Sequence, residues 1–206
     1  MKEYEVKKIL IDYILAEKSC DLILGSEFRF DFGARRADIV AINSDMAIAY
    51  EIKTANDSVS RLSWQLRGYK KYFDYCYVVC ESENLSLIRK HILSGVGIML
   101  IKEGEIKKIK ESNRFKKHDK VMLSSTLSMD ELRRETDAKQ RAKHELCFTL
   151  SKIKKTDDIR KLSRESAIKK MKESFETFIR EKGETLNRDD ITTLNRISSS
   201  KLFTHA

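Results

Sequence analysis

Three strand-like runs crowd into residues 22–54, and the gaps between them leave room only for turns. LILGSEFRF (22–30), RRADIVAIN (35–43) and MAIAYEIKT (46–54) are rich in Ile, Val, Phe and Tyr, the residues that suit a pleated, half-buried surface. The turn-forming DFGA lies between the first two and the polar NSD between the last two. Strands joined so closely must pair antiparallel, because a parallel pair needs a crossover of about a dozen residues. The segment therefore reads as an antiparallel meander.

The periodicity on either side of the meander is helical. Residues 2–18 place Val6, Ile9, Leu10, Tyr13 and Ile14 on one apolar stripe. After Asn56 and Asp57, Val59, Leu62, Leu66, Tyr69 and Phe73 share the face of a second helix that runs to about Phe73. YCYVVC then reads as a fully buried strand, ENLSLIRKHIL as a helix and VGIMLI as another buried strand, which Glu103 and Gly104 can turn back into EIKKIK. This order describes an α/β fold, a mixed sheet with helices packed on it and a helical crossover between its halves. The expected domain covers residues 1–110.

Residues 111–206 read as a mainly helical extension. Ser128 and Glu131 have capping-box spacing before MDELRRETDAKQRAKHEL. Thr156 is placed to cap a long helix carrying Ile159, Leu162, Ile168, Met171, Phe175 and Ile179, with Gly183 as its stop. A short helix follows Asn187, and SSSKLFTHA reads as a frayed tail. The extension is also where the charge lies. Residues 1–100 hold 14 of the 41 Lys and Arg and 14 of the 32 Asp and Glu, so the whole net charge of +9 belongs to the second half. A basic segment on a neutral domain points to an anionic partner, nucleic acid first; a solvated basic surface is the plainer reading of the same charge. The apolar stripe from Ile159 to Ile179 allows instead a homodimer or a protein partner.

Composition excludes several classes. No stretch approaches the roughly 20 apolar residues of a membrane span. The first residues, MKEYEVKKIL, lack the apolar core of a secretory signal, so a cytoplasmic location is expected. Cys20, Cys76, Cys80 and Cys147 show no zinc-ligand spacing and read as free thiols, and His91, His118, His144 and His205 are scattered.

The chemistry concentrates on the second and third strands. A tight turn at Ser44 and Asp45 sets Asp38 opposite Glu51 and Arg36 opposite Lys53. Strand alternation then puts all four on one face of the sheet. Directly opposed carboxylates repel, and a divalent cation held by one or two carboxylates would relieve this. A structural quartet, with Asp38 paired to Lys53 and Arg36 to Glu51, accounts for the same pattern.

RRAD (Arg35, Arg36, Ala37, Asp38) followed by EIK (Glu51, Ile52, Lys53) resembles the PD-(D/E)XK nuclease superfamily, and QLRGY, with Gln65 and Tyr69, resembles the QxxxY element of its RecB-like branch. The resemblance spans residues 20–80; Ala37 stands where the name-giving motif has proline. It implies a restriction-endonuclease-like mixed sheet core and Mg²⁺-dependent, or Mn²⁺-dependent, hydrolysis of DNA phosphodiester bonds, with RNA an alternative substrate. It further implies that Asp38 and Glu51 hold the metal and that Lys53 acts on the attacking water and the phosphate. Gln65 would sit over the site, with Arg36 and Tyr69 in support. Glu27 is the choice for a further acidic position, with Glu17 as its rival. The superfamily also contains inactive members, so a noncatalytic DNA-binding or protein-binding module is the second reading. Trp64, the single tryptophan, lies off the apolar stripe; it either packs on the C-terminal helices, the expectation favoured, or stacks on a base.

Overall fold

The computed structural model describes residues 1–17, 21–138 and 141–195. Cys20, His205 and the expected tail lie outside the described residues. Helix α1 (Glu3–Ala16) comes first, followed by strand β1 (Ile23–Phe30), a single 3-10 turn (Asp31–Gly33), β2 (Arg35–Ile42) and β3 (Ala47–Lys53). Then come α2 (Leu62–Tyr72), β4 (Tyr75–Glu81), α3 (Ser82–His91), β5 (Gly97–Lys102) and β6 (Glu105–Lys110). The remainder is helical: α4 (Lys120–Ser124), α5 (Met129–Thr136), α6 (Lys143–Ile153), α7 (Thr156–Glu181) and α8 (Arg188–Thr193).

The six strands form one sheet in sequence order, antiparallel except for β3–β4 and β4–β5, which are parallel and joined by α2 and α3. This is the expected mixed α/β architecture. Alternation along each central strand feeds two cores. In β4, Cys76, Val78 and Cys80 face one layer while Tyr77 and Val79 face the other. The first layer is built from α2, α3 and α4 to α7; the second comes from α1, the end of α7 and α8.

The boundary expected at residue 110 does not divide the core. Leu123, Leu132, Leu146, Leu150, Ile159 and Met171 are buried in the same cluster as Leu66 and Val78, while Phe178, Ile191 and Leu194 join that of Leu10 and Val79. The stripe of α7 is spent inside the molecule, and only Ile179 at its end is strongly exposed. Most of the basic residues described beyond residue 110 are exposed or partly exposed on this body, while Arg164 is buried. Two further connections tie the helices in. Arg164 of α7 is buried against Asp74, at 3.2 Å, and donates to the Tyr72 carbonyl at 2.6 Å. The Ser26 amide on edge strand β1 donates to the carbonyl of Leu194, just after α8, at 3.3 Å, so the edge is satisfied there from the helical half.

The pattern read as one helix over 129–146 is two. Ser128 caps α5 through the expected box with Glu131, but Asp137 adopts a left-handed conformation, which short polar side chains tolerate, and turns the chain before α6. Thr156 is the first residue of α7 and not its cap, while Asn187 caps α8. Cys76, Cys80 and Cys147 are buried free thiols. Among the described residues no helix is long and apolar enough to cross a membrane.

Candidate functional site

The register of β2 and β3 is the one expected from their turn. Ile42 pairs with Ala47 and Ile39 with Tyr50, so Asp38 and Glu51 lie one step further along the same register. The ladder stops there. Asp38 Oδ2 instead accepts a hydrogen bond from the Ile52 amide at 2.8 Å, taking the place of a backbone carbonyl where the two strands part.

The expected single face is broken at this point. Val40 and Ile42 point to the α2 layer and Ile39 and Ala41 to the α1 layer, yet Ala37 again faces the α2 layer. On β1 the same change of parity falls at Glu27, whose φ of 56° is left-handed. The four charges consequently pair differently from the anticipated diagonals. Arg36 Nε meets Glu27 at 2.6 Å, and Lys53 Nζ meets Glu51 Oε1 at 2.7 Å.

Glu51 is buried and held from the α2 side. Gln65 Nε2 donates to its Oε1 at 2.7 Å, and the Tyr69 hydroxyl donates to its Oε2 at 2.5 Å while also lying 2.9 Å from the Arg36 carbonyl. The spacing of four puts Gln65 and Tyr69 one turn apart on the helix, so both reach the same carboxylate. Burial, then the adjacent Glu51, holds the Tyr69 hydroxyl well above its ordinary pKa, so it remains a donor.

Asp38 belongs to a second group. Oxygens of Glu3, Glu27 and Asp38 all lie within 4.8 Å of one another. Burial, followed by repulsion from Glu51, pushes the Asp38 carboxyl up to about 8. Lys7 of α1 bonds Glu27 and lies 2.8 Å from Glu3. Burial opposes its charge, but the hydrogen bonds it donates to these two carboxylates outweigh that and raise its pKa. Glu27, the anticipated extra acid, is thus beside Asp38. Glu17 is not in the group; it is engaged by Tyr13 and by Lys108 at 3.2 Å.

Glu3 and Lys7 went unanticipated. Both lie on a helix at least 20 residues from Glu27, and their only local signal is a charged position on the otherwise apolar inner face of α1, where Lys7 is 7% exposed beside Val6 and Leu10. Trp64, expected to pack on the C-terminal helices, is 51% exposed and carries the Arg35 guanidinium 3.9 Å over its ring.

The donor set suits a hard cation. Carboxylate oxygens without cysteine or histidine favour Mg²⁺ or Mn²⁺ over softer metals. A cation held there would have to displace the proton that burial, and then Glu51, keep on the Asp38 carboxyl.

A solved structure, that of a Silicibacter pomeroyi protein of unknown function, superposes on 58% of this chain and 80% of its own at a TM-score of 0.43 and 12% identity, too little to carry an argument. Protein cII of Enterobacteria phage P4 is 31% identical over 129 residues, which amount to 62% of this chain and 47% of the phage protein, so the chain matches about half the length of that relative. The family model described as Bacteriophage P4 protein cII matches residues 1–197, a span that takes in α1, the whole sheet and every residue of the site. The chain therefore belongs to the Bacteriophage P4 protein cII family.

Proposed function

We propose that this protein is a metal-dependent nuclease that hydrolyses phosphodiester bonds of DNA, working in the cytoplasm. The observation that carries the reading is the convergence of Glu3, Glu27 and Asp38 within 4.8 Å beside a buried Glu51 and its lysine. Asp38 with Glu27 and Glu3 would hold the cation, with Glu51 reaching it from the α2 side. A bound Mg²⁺ or Mn²⁺ would lower the pKa of a coordinated water and polarise the scissile phosphate. Lys53, fixed by Glu51, is placed to orient that water and to stabilise charge developing on the phosphate. Gln65 and Tyr69 keep the Glu51 carboxylate in one orientation, so no reorganisation is needed when substrate arrives. Arg36, about half exposed and anchored on Glu27, faces solvent where a strand backbone would approach.

A second reading has its own support. Three of the four carboxylates already have a cation, Lys53 on Glu51 and Lys7 on Glu27 and Glu3, as a self-neutralised, noncatalytic binding module would. Incubation of the wild type and Asp38→Ala with plasmid and linear DNA, with and without Mg²⁺ or Mn²⁺, separates the two. Metal-dependent products from the wild type alone support the nuclease. Binding of DNA without products under any metal supports the module.

A further inference from the structure

The exposed face of α2 next to the site carries an indole whose geometry is built from the inside. Trp64 immediately precedes Gln65, which bonds Glu51. One side of its ring is covered by the Arg35 guanidinium at 3.9 Å, and Arg35 is held in turn by Asp31 at 3.1 Å and by the Trp64 carbonyl at 3.2 Å. Half of the residue is exposed, so the indole is open to solvent beyond that contact.

Gly68 shows that this stack is specified by the sequence. It is buried in the middle of α2, where glycine costs about 1 kcal/mol relative to alanine. A Cβ there would come within 2.6 Å of the Arg35 Cδ and Cζ atoms, so the guanidinium crosses the helix directly over this glycine and a larger residue would shift it. The segment that anchors Arg35 is strained as well. Asp31 and Phe32 both have left-handed φ, of 53° and 56°, and Phe32 is itself exposed.

The indole is flanked by cations. Arg61 at the N-cap of α2, Trp64 and Arg67 recur every three residues along one ridge, and all three are exposed. Neither Arg61 nor Arg67 has a carboxylate partner in any ion pair among the described residues. The two arginines stand about 9 Å apart along the axis, six residues at 1.5 Å each, with the indole between them. Alternating cation and aromatic along a ridge is the chemistry that binds a strand whose phosphates and base faces are both accessible. A duplex keeps its base faces stacked inside and can offer the indole nothing.

We infer that the α2 ridge is a stacking platform for single-stranded nucleic acid, in which a base lies on the open face of Trp64 and the adjoining phosphates meet Arg61 and Arg67. The inference rests on the nuclease reading for its place beside the site and adds the substrate class.

Trp64 is the single tryptophan of the chain, so its fluorescence reports on this position alone. The full-length protein in EDTA is titrated with single-stranded deoxy- and ribo-oligonucleotides and with the matching DNA duplex; the two single strands separate recognition of the sugar from recognition of base and phosphate. Quenching by a single strand, and not by the duplex at equal nucleotide concentration, is the expected result. In polarisation assays with a labelled single strand, Trp64→Ala should bind about tenfold more weakly while Trp64→Phe retains most of the affinity. Circular dichroism checks that both variants fold. Equal quenching by duplex, no quenching by either form, or unchanged affinity in Trp64→Ala would overturn the platform, the second of these leaving the indole to a protein partner. The nuclease reading fails separately: strand binding with quenching but no cleavage under any divalent metal removes hydrolysis and leaves the platform standing.

Discussion

Asp38 carries most of what a single residue can reveal. Its pKa lies near 8 when folded and near the ordinary 3.8 when unfolded, so between these values the folded protein holds a proton that the unfolded chain has lost. Stability of the metal-free protein should fall as pH rises from about 4 to about 8. Asp38→Asn removes that slope, and its melting temperature at pH 8 in EDTA should exceed the wild type's by at least about 2–4 °C, the shift expected per kcal/mol for a chain of this size. At pH 4 the two should melt together. Metal affinity in calorimetry should rise over the same range, because the cation competes with this proton. Lys53→Ala is expected to abolish cleavage while leaving metal affinity within a few fold, since its ammonium lies on Glu51 and is not a ligand. An equal loss of metal binding would mean that the lysine holds the carboxylates together.

At the scale of the elements, α7 is held to the sheet partly through a buried charge. Asp74 is fully buried and accepts from the Ala47 amide at 2.8 Å while Arg164 pairs with it from α7 and Arg160 approaches at 3.6 Å. His118 lies 3.9 Å from the same carboxylate; burial, which Asp74 only partly opposes, lowers its pKa and favours the neutral ring. Removing one partner from such a pair strands the other in the core. Arg164→Met should cost about 3–5 kcal/mol in urea unfolding, and adding Asp74→Asn should recover part of that loss. A single variant of wild-type stability would show that Arg160 alone suffices for Asp74.

For the molecule as a whole, the shared cores decide what can be cut. A fragment ending at residue 110 would uncover Leu66, Val78 and Met99 on the two faces of the sheet and the β1 edge where Ser26 meets Leu194. Such a fragment should be insoluble, or soluble with the dye binding and lost near-ultraviolet dichroism of an unpacked state. A cooperatively melting fragment would instead mean that the helices after β6 are dispensable. The basic residues of this half belong to one folded body, so a contribution to nucleic-acid binding is read from the salt dependence of binding by charge-reversal variants in the intact chain.

Much of this was legible in the residues. Short gaps forced the meander, alternation identified β4 and β5, and the turn at Ser44 and Asp45 set the β2–β3 register one step from Asp38 and Glu51. Gln65 and Tyr69 were legible as a pair because one helical turn separates them, and both reach Glu51. These are consequences of periodicity and turn length, which act over a few residues. The tertiary structure alone decided the rest: that α1 brings Glu3 and Lys7 to Asp38, that Arg164 finds Asp74 across 90 residues, and that β1 and β2 change parity at Glu27 and Asp38. It also decided that the basic helices complete the core and do not hang from it. Such contacts join elements with no local relation. They exist only once two layers have closed on the sheet, where burial sets which charges must find one another.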